Sequence, residues 1–152
     1  MAKLNFEPPM IFGALCDDEP SSPRGIERAI RSRVAGAVLL PFQVEARHLK
    51  NVIDCMKLMD VMGLVVLGAH RKKIAGHVPK LDRSAKAAGR VDVIARRGRG
   101  FVGYCADEIA LSEWRKAVKK TRPKAPKPPL RKIAARAREI SVELLTGLNR
   151  SK

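Results

Sequence analysis

Gly63-Leu64-Val65-Val66-Leu67-Gly68-Ala69-His70-Arg71 is the stretch that decides the fold. An unbroken apolar run this short, closed by a glycine at each end, lacks the alternation of a half-solvated strand. It predicts a strand buried on both faces, ending in a polar His-Arg pair. Working outward toward the N-terminus, residues 45–62 place Val52, Ile53, Met56, Met59 and Met62 at helical spacing, with Glu45, Arg47 and Lys50 near the start. That stripe predicts a core-facing helix. Before it, Val34 to Val44 reads as a β-like run with Pro41 near its end. Pro23 stands at the first position of a helix capped by Ser22 and running to about Ser32. Residues 10–15 read as a further short buried strand. The acidic Pro/Ser-rich turn from Asp17 to Pro23 lies between strand and helix, where α/β folds place ligands.

Toward the C-terminus, Val91-Asp92-Val93-Ile94 and Gly100-Phe101-Val102-Gly103-Tyr104 predict a hairpin turning at Arg97-Gly98-Arg99. A helix from Asp107 through Trp114 to Val118 follows. Strands alternating with helices imply an α/β fold with a mixed, mostly parallel sheet and flanking helices. Residues 1–118 form the single domain. Residues 119–129, with four prolines and five cations, cannot pack into a core and read as an extended basic linker. Residues 130–152 return to helical spacing at Ile133, Ala137, Ile140, Leu144 and Leu145, a C-terminal helix whose apolar face needs a surface to bury it.

The 152 residues, 45% hydrophobic, suffice for one domain with a core and are too few for two of ordinary size. With 31 basic and 15 acidic residues the net charge is +16, so anionic small molecules and nucleic acid both come into view as partners. An aromatic fraction of 4% leaves few rings to stack on single-stranded bases. Cys16, Cys55 and Cys105 form no C-x-x-C pair, which argues against a disulfide framework or a zinc site and for a reducing, cytoplasmic setting. His48, His70 and His77 lack metal-site spacing. The first residues do not read as a leader, and no apolar run approaches the ~20 residues that span a bilayer, so no membrane partner is expected.

Gly98-x-Gly100-x-x-Gly103 is a literal dinucleotide-binding pattern, but its last two glycines fall within a β-like run instead of opening a helix. The hairpin reading is preferred, and no cofactor is expected in this chain.

Taken in order, Ala69-His70-Arg71, Leu81-Asp82, Gly89-Arg90-Val91-Asp92-Val93 and Phe101-Val102-Gly103-Tyr104-Cys105-Ala106-Asp107 resemble the substrate-binding domain of the shikimate dehydrogenase family. There a strand enters Pro-His-Lys, followed by Leu-Asp, Gly-Ala-Val-Asn-Thr and Leu-Val-Gly-Tyr-Asn-Thr-Asp. The resemblance implies that Asp107 and the residue after His70 form the pair at which proton transfer accompanies hydride transfer with NADP. Here that residue is Arg71. A guanidinium holds its proton far above neutral pH and cannot act as a general base there, although it can bind an anion. Rescue by the neighbouring Lys72 would need a side chain re-aimed from the strand end.

By the same resemblance, Asp92 stands at a substrate-binding asparagine. Ser21 and Ser22, before Pro23, approximate the serines that hold the substrate carboxylate, with helix capping as the alternative role. Val65 and Leu67 replace two polar contacts. Val142-Glu143-Leu144-Leu145-Thr146-Gly147 is similar to the family's last helix, whose substrate-facing glutamine falls on Ala137; a generic amphipathic helix ended by Gly147 is the alternative.

The resulting expectation is a non-catalytic relative that binds a small hydroxylated carboxylate such as shikimate through Ser21, Ser22, Arg71, Asp92 and Asp107. Two alternatives stand beside it. One is a dehydrogenase subunit served by a separate NADP-binding chain. The other is a nucleic-acid-associated protein working through residues 119–152, whose binding would weaken steeply with salt. The Arg71–Asp107 pair could equally be a structural ion pair.

Overall fold

The computed structural model describes residues 9–17, 23–120 and 127–147. Among the described residues six strands form one sheet in the order β2-β1-β3-β5-β6-β4. β1 (Ile11–Cys16) lies between parallel neighbours β2 (Val38–Gln43) and β3 (Val61–Val66). β5 (Val93–Arg97) runs antiparallel to β3 and to β6 (Gly100–Tyr104), and the two-residue β4 (Lys80–Leu81) pairs parallel with β6. The mixed, mostly parallel α/β sheet read from the sequence is the one observed.

Six α-helices among the described residues flank the sheet. α1 (Arg24–Arg33), α5 (Ala106–Lys119) and α6 (Leu130–Thr146) close one face over Phe12, Leu39, Val65, Val93 and Ala95. On the other face, α2 (Val52–Leu58) packs with Ile74 and Val78 against Leu15, Leu64, Val66, Ile94 and Phe101. α3 (His70–Lys73) and α4 (Arg83–Ala88) are short and stand at the ends of strands. α6 is part of the core, with Ile140 and Leu144 wholly buried, and Arg97 of β5 donates to the Leu144 carbonyl at 2.9 Å. The C-terminal stretch therefore offers no free basic tail over residues 130–146.

The helix expected over residues 45–62 is divided. A 3-10 segment Ala46–Asn51 leads into α2, and the chain reverses at Asp60, a non-glycine residue at φ 53°. β3 has already begun at Val61. Met56 is buried on α2, Met59 is 53% exposed at its end, and Met62 packs from β3 against the opposite face of the sheet. The even spacing of the methionines thus arose from two elements of different type. A register shift where β3 meets β1, between Ile11 and Phe12, explains how Met62 faces away from Leu64 and Val66.

Other boundaries also moved. Pro23 is the residue before α1, not its first, and its carbonyl accepts from the Ile26 and Glu27 amides at 2.9 and 3.1 Å. Residues 34–37 form a turn through Gly36 at φ 75°, so β2 starts only at Val38. Within β2, Val38 and Val44 at its flank donate to carbonyls of the β1 segment. In that alternation Pro41, opposite Ala14, falls on the outer margin, where a missing N–H breaks no ladder bond. The hairpin is as expected, with Arg97 paired to Gly100 and the turn made by Gly98, at φ 60°, and Arg99.

α4 was not anticipated, although its signals are present. Asp82 caps it through the Ala85 amide at 3.0 Å, and Gly89 ends it at φ 66°. No described helix is long and apolar enough to cross a membrane.

Candidate functional site

β3 ends at Val66, and the chain turns through Gly68 at φ 61° into α3. His70 is 1% exposed, and its Nε2–H donates to the Val44 carbonyl at 2.6 Å, which ties the start of α3 to the end of β2. Arg71 is held by its own Nε–H, which donates to the Gly68 carbonyl at 3.3 Å, and its carbonyl accepts from the Val91 amide at 2.8 Å. That second bond brings the segment after α4 alongside α3 and sets Arg90 beside Arg71.

Asp107, the second residue of α5, faces both. Its Oδ2 lies 3.7 Å from Arg71 Nη1 and 3.8 Å from Arg90 Nη2, with all three side chains roughly one-third to two-fifths exposed. These are ion-pair distances, too long for hydrogen bonds. The three residues line an open groove of about 780 Å³ together with Gly68, Ala69, Lys72 and Lys73. The two residues read as a pair, Arg71 and Asp107, do come together. Arg90 was missed, although it occupies the alanine position of the Gly-Ala-Val-Asn-Thr pattern and so announces a new cation there. Lys72 also lines the groove. The geometric objection to it assumed a strand, and residues 70–73 are helical.

Asp92 lies deeper. It is 8% exposed, with Oδ1 accepting from the Ala106 amide at 2.7 Å and Oδ2 from the Asp107 amide at 3.3 Å. The α5 N-cap residue, Cys105, supplies no side-chain cap of its own, so Asp92 satisfies the helix's first amides from the neighbouring strand end. Ser84 Oγ accepts from the Cys105 amide at 2.9 Å and donates to Asp82. Asp92 thus orients Asp107 through its backbone, and both its oxygens are already engaged.

Burial pushes the Asp92 carboxyl above its ordinary value of 3.8, against the lowering pull of the two amides. Burial and the Asp92 charge push the Cys105 thiol up to about 11, so it stays protonated at neutral pH and is no nucleophile. Because Asp92 holds its proton more tightly folded than unfolded, its contribution to stability is complete below 3.8 and is lost as pH rises through the folded value. Asp92→Asn should therefore gain stability relative to the parent as pH is raised from about 4. Thermal melts of both proteins between pH 3.5 and 7 would read this, and parallel curves would refute it.

Ser21 and Ser22 lie outside the described residues. Ala137 is packed in the core, and no polar side chain faces the groove from that position. The Gly98-x-Gly100-x-x-Gly103 pattern is the β5–β6 hairpin, and a Cβ at Gly103 would stand 2.9 Å from Val91 and 3.0 Å from Leu81. Its last glycine serves packing inside a strand, which does not fit a dinucleotide cradle. No group of three or more metal-ligating side chains occurs among the described residues.

No protein-family model matches the chain. In sequence it is 33% identical over 66 residues to the shikimate dehydrogenase (NADP(+)) of Bacillus licheniformis, covering 43% of this chain and 24% of that protein. It is 30% identical over 92 residues to that of Methanococcus maripaludis, covering 60% and 33%. In structure it superposes with a TM-score of 0.60 and 18% identity on shikimate dehydrogenase 1 from Peptoclostridium difficile, over 87% of this chain and 52% of that one. The chain spans about a quarter to a third of the length of these curated relatives.

Proposed function

From the relationship of this chain to part of the shikimate dehydrogenases, we propose that it is a substrate-binding-type domain that holds a small hydroxylated carboxylate, such as shikimate, without performing the proton transfer itself. The observation that carries this reading is the Arg71–Asp107 pair in an open groove at the end of a central strand. A carboxylate on the ligand meets guanidinium donors, a ligand hydroxyl meets Asp107, and a guanidinium stands where the proton-transferring lysine would be needed. Asp92 acts indirectly, by fixing the first turn of α5.

Saturation-transfer NMR of the protein with shikimate, dehydroshikimate and quinate tests this. Transfer from at least one of them, weakened by Asp107→Asn, is the expected result. Silence from all three would sink the reading.

One observation favours a second reading. Lys72 lines the same groove, and a lysine, unlike an arginine, can be tuned to exchange a proton. On that reading the chain is the substrate half of a dehydrogenase whose NADP site is supplied elsewhere. Dehydroshikimate-dependent NADPH oxidation on mixing the protein with cell extract, above extract alone and abolished by Lys72→Gln, would support it; no difference from extract alone would count against it.

A further inference from the structure

Among the described residues, the groove between α3 and the first turn of α5 is lined by four cations, Arg71, Lys72, Lys73 and Arg90, and one acid, Asp107. On a chain of net charge +16 scattered surface cations are expected, but these four converge on one cavity from two separate segments. Asp107 offsets only one of these four charges, its Oδ2 standing at ion-pair distance, 3.7 and 3.8 Å, from the two guanidiniums and hydrogen-bonded to neither. Arg90 Nε is buried and has no hydrogen-bond partner among the described residues. Arg71 is aimed by the Gly68 carbonyl, and Arg90 by its place directly after the α4 cap at Gly89.

Two guanidiniums held side by side, with two lysines at the rim, exceed what one carboxylate can satisfy. A monoanion engages one planar fork and leaves the other cations repelling one another. A phosphoryl group offers several acceptor oxygens and a second charge, the geometry that paired arginines bind bidentately.

Resting on the reading above that this groove holds a small hydroxylated acid, we propose that its preferred ligand adds a dianionic group to the carboxylate, as in a phosphate monoester of such an acid, with Arg71 and Arg90 gripping the phosphoryl oxygens and Lys72 and Lys73 supplying the outer charge.

Calorimetric titration of the full chain with shikimate, shikimate 3-phosphate and inorganic phosphate at physiological salt tests the proposal. The phosphate ester is expected to bind at least about tenfold more tightly than shikimate, and Arg90→Gln should remove most of that preference. Lys72→Gln, at an exposed position, should lessen it with the fold unaffected. Equal affinity for shikimate and its phosphate ester would overturn the dianion proposal and leave the binding reading standing. A preference that survives Arg90→Gln in a protein with unchanged melting behaviour would overturn it as general attraction to a cationic chain. Inorganic phosphate binding as tightly as the ester, and lost in Arg90→Gln, would support the dianion site while removing the hydroxylated acid from the reading. No binding of any of the three would overturn both.

Discussion

Replacing Leu144 with alanine is expected to lower the unfolding free energy by about 3 to 4 kcal/mol, the range for a fully enclosed leucine whose surroundings cannot collapse into the space. Leu144 is 0% exposed and sits in the cluster that joins α6 to Ile26 and Ile30 of α1 and to Phe12, Val65 and Val93 of the sheet. Its carbonyl is held by Arg97, which limits how far the helix can slide to fill a void. Leu130→Ala, at the start of the same helix and 75% exposed, is the internal control and should stay within about 0.5 kcal/mol. Urea unfolding at pH 7 measures both. A loss below about 1 kcal/mol at Leu144 would mean that α6 frays independently of the sheet instead of unfolding with it.

Gly63→Ala should cost a comparable amount, roughly 3 kcal/mol, for the opposite reason. A Cβ there would stand 2.6 Å from Leu145 Cδ2 and 2.9 Å from the Ile94 carbonyl oxygen. The side-chain contact can be relieved, whereas the carbonyl belongs to β5, which is paired to β3 in register at Gly63 and Ala95. The two contacts separate in a double-mutant cycle. Combining Gly63→Ala with Leu145→Ala should be less damaging than the sum of the two single changes, because the second opens the space that the first invades. Strict additivity would show that the backbone clash alone carries the cost. Together with Leu144→Ala, these variants test one seam, the line along which α6 lies on β3 and β5.

The central strands, the hairpin and the final helix were legible because each carries its own period or turn chemistry: the run Leu64 to Leu67, the glycine of the Arg97–Gly100 turn, and the spacing from Ile133 to Leu145. The methionine stripe misled because a 3.6-residue pattern does not notice a reversal between Met59 and Met62, and a non-glycine residue at positive φ, Asp60, is a poor turn signal. β4, two residues long, has no pattern to read. At the site, Arg71 and Asp107 could be paired from the order of motifs. The cation at Arg90 was legible as a departure from the pattern, but its place beside Arg71 depends on the bond between the Val91 amide and the Arg71 carbonyl, a contact between segments that no spacing announces. Asp92 shared its position with a ligand-facing residue of the family pattern, yet its burial beneath α5 is a tertiary fact.

Pro41 bears on how this protein behaves in company. A sheet's outermost strand is a template on which another chain can lay itself, one amide after another, and growth of that kind is how soluble domains become fibres. Here the template is interrupted at its middle: the exposed side of β2 can offer amides at Leu39 and Gln43 but none at Pro41. The opposite border of the sheet is β4, only two residues long and carrying Lys80. Both borders are thus poor seeds for polymerisation. Substituting Pro41 would restore a continuous row on one of them, at a place where Leu40 already lies exposed on the same strand.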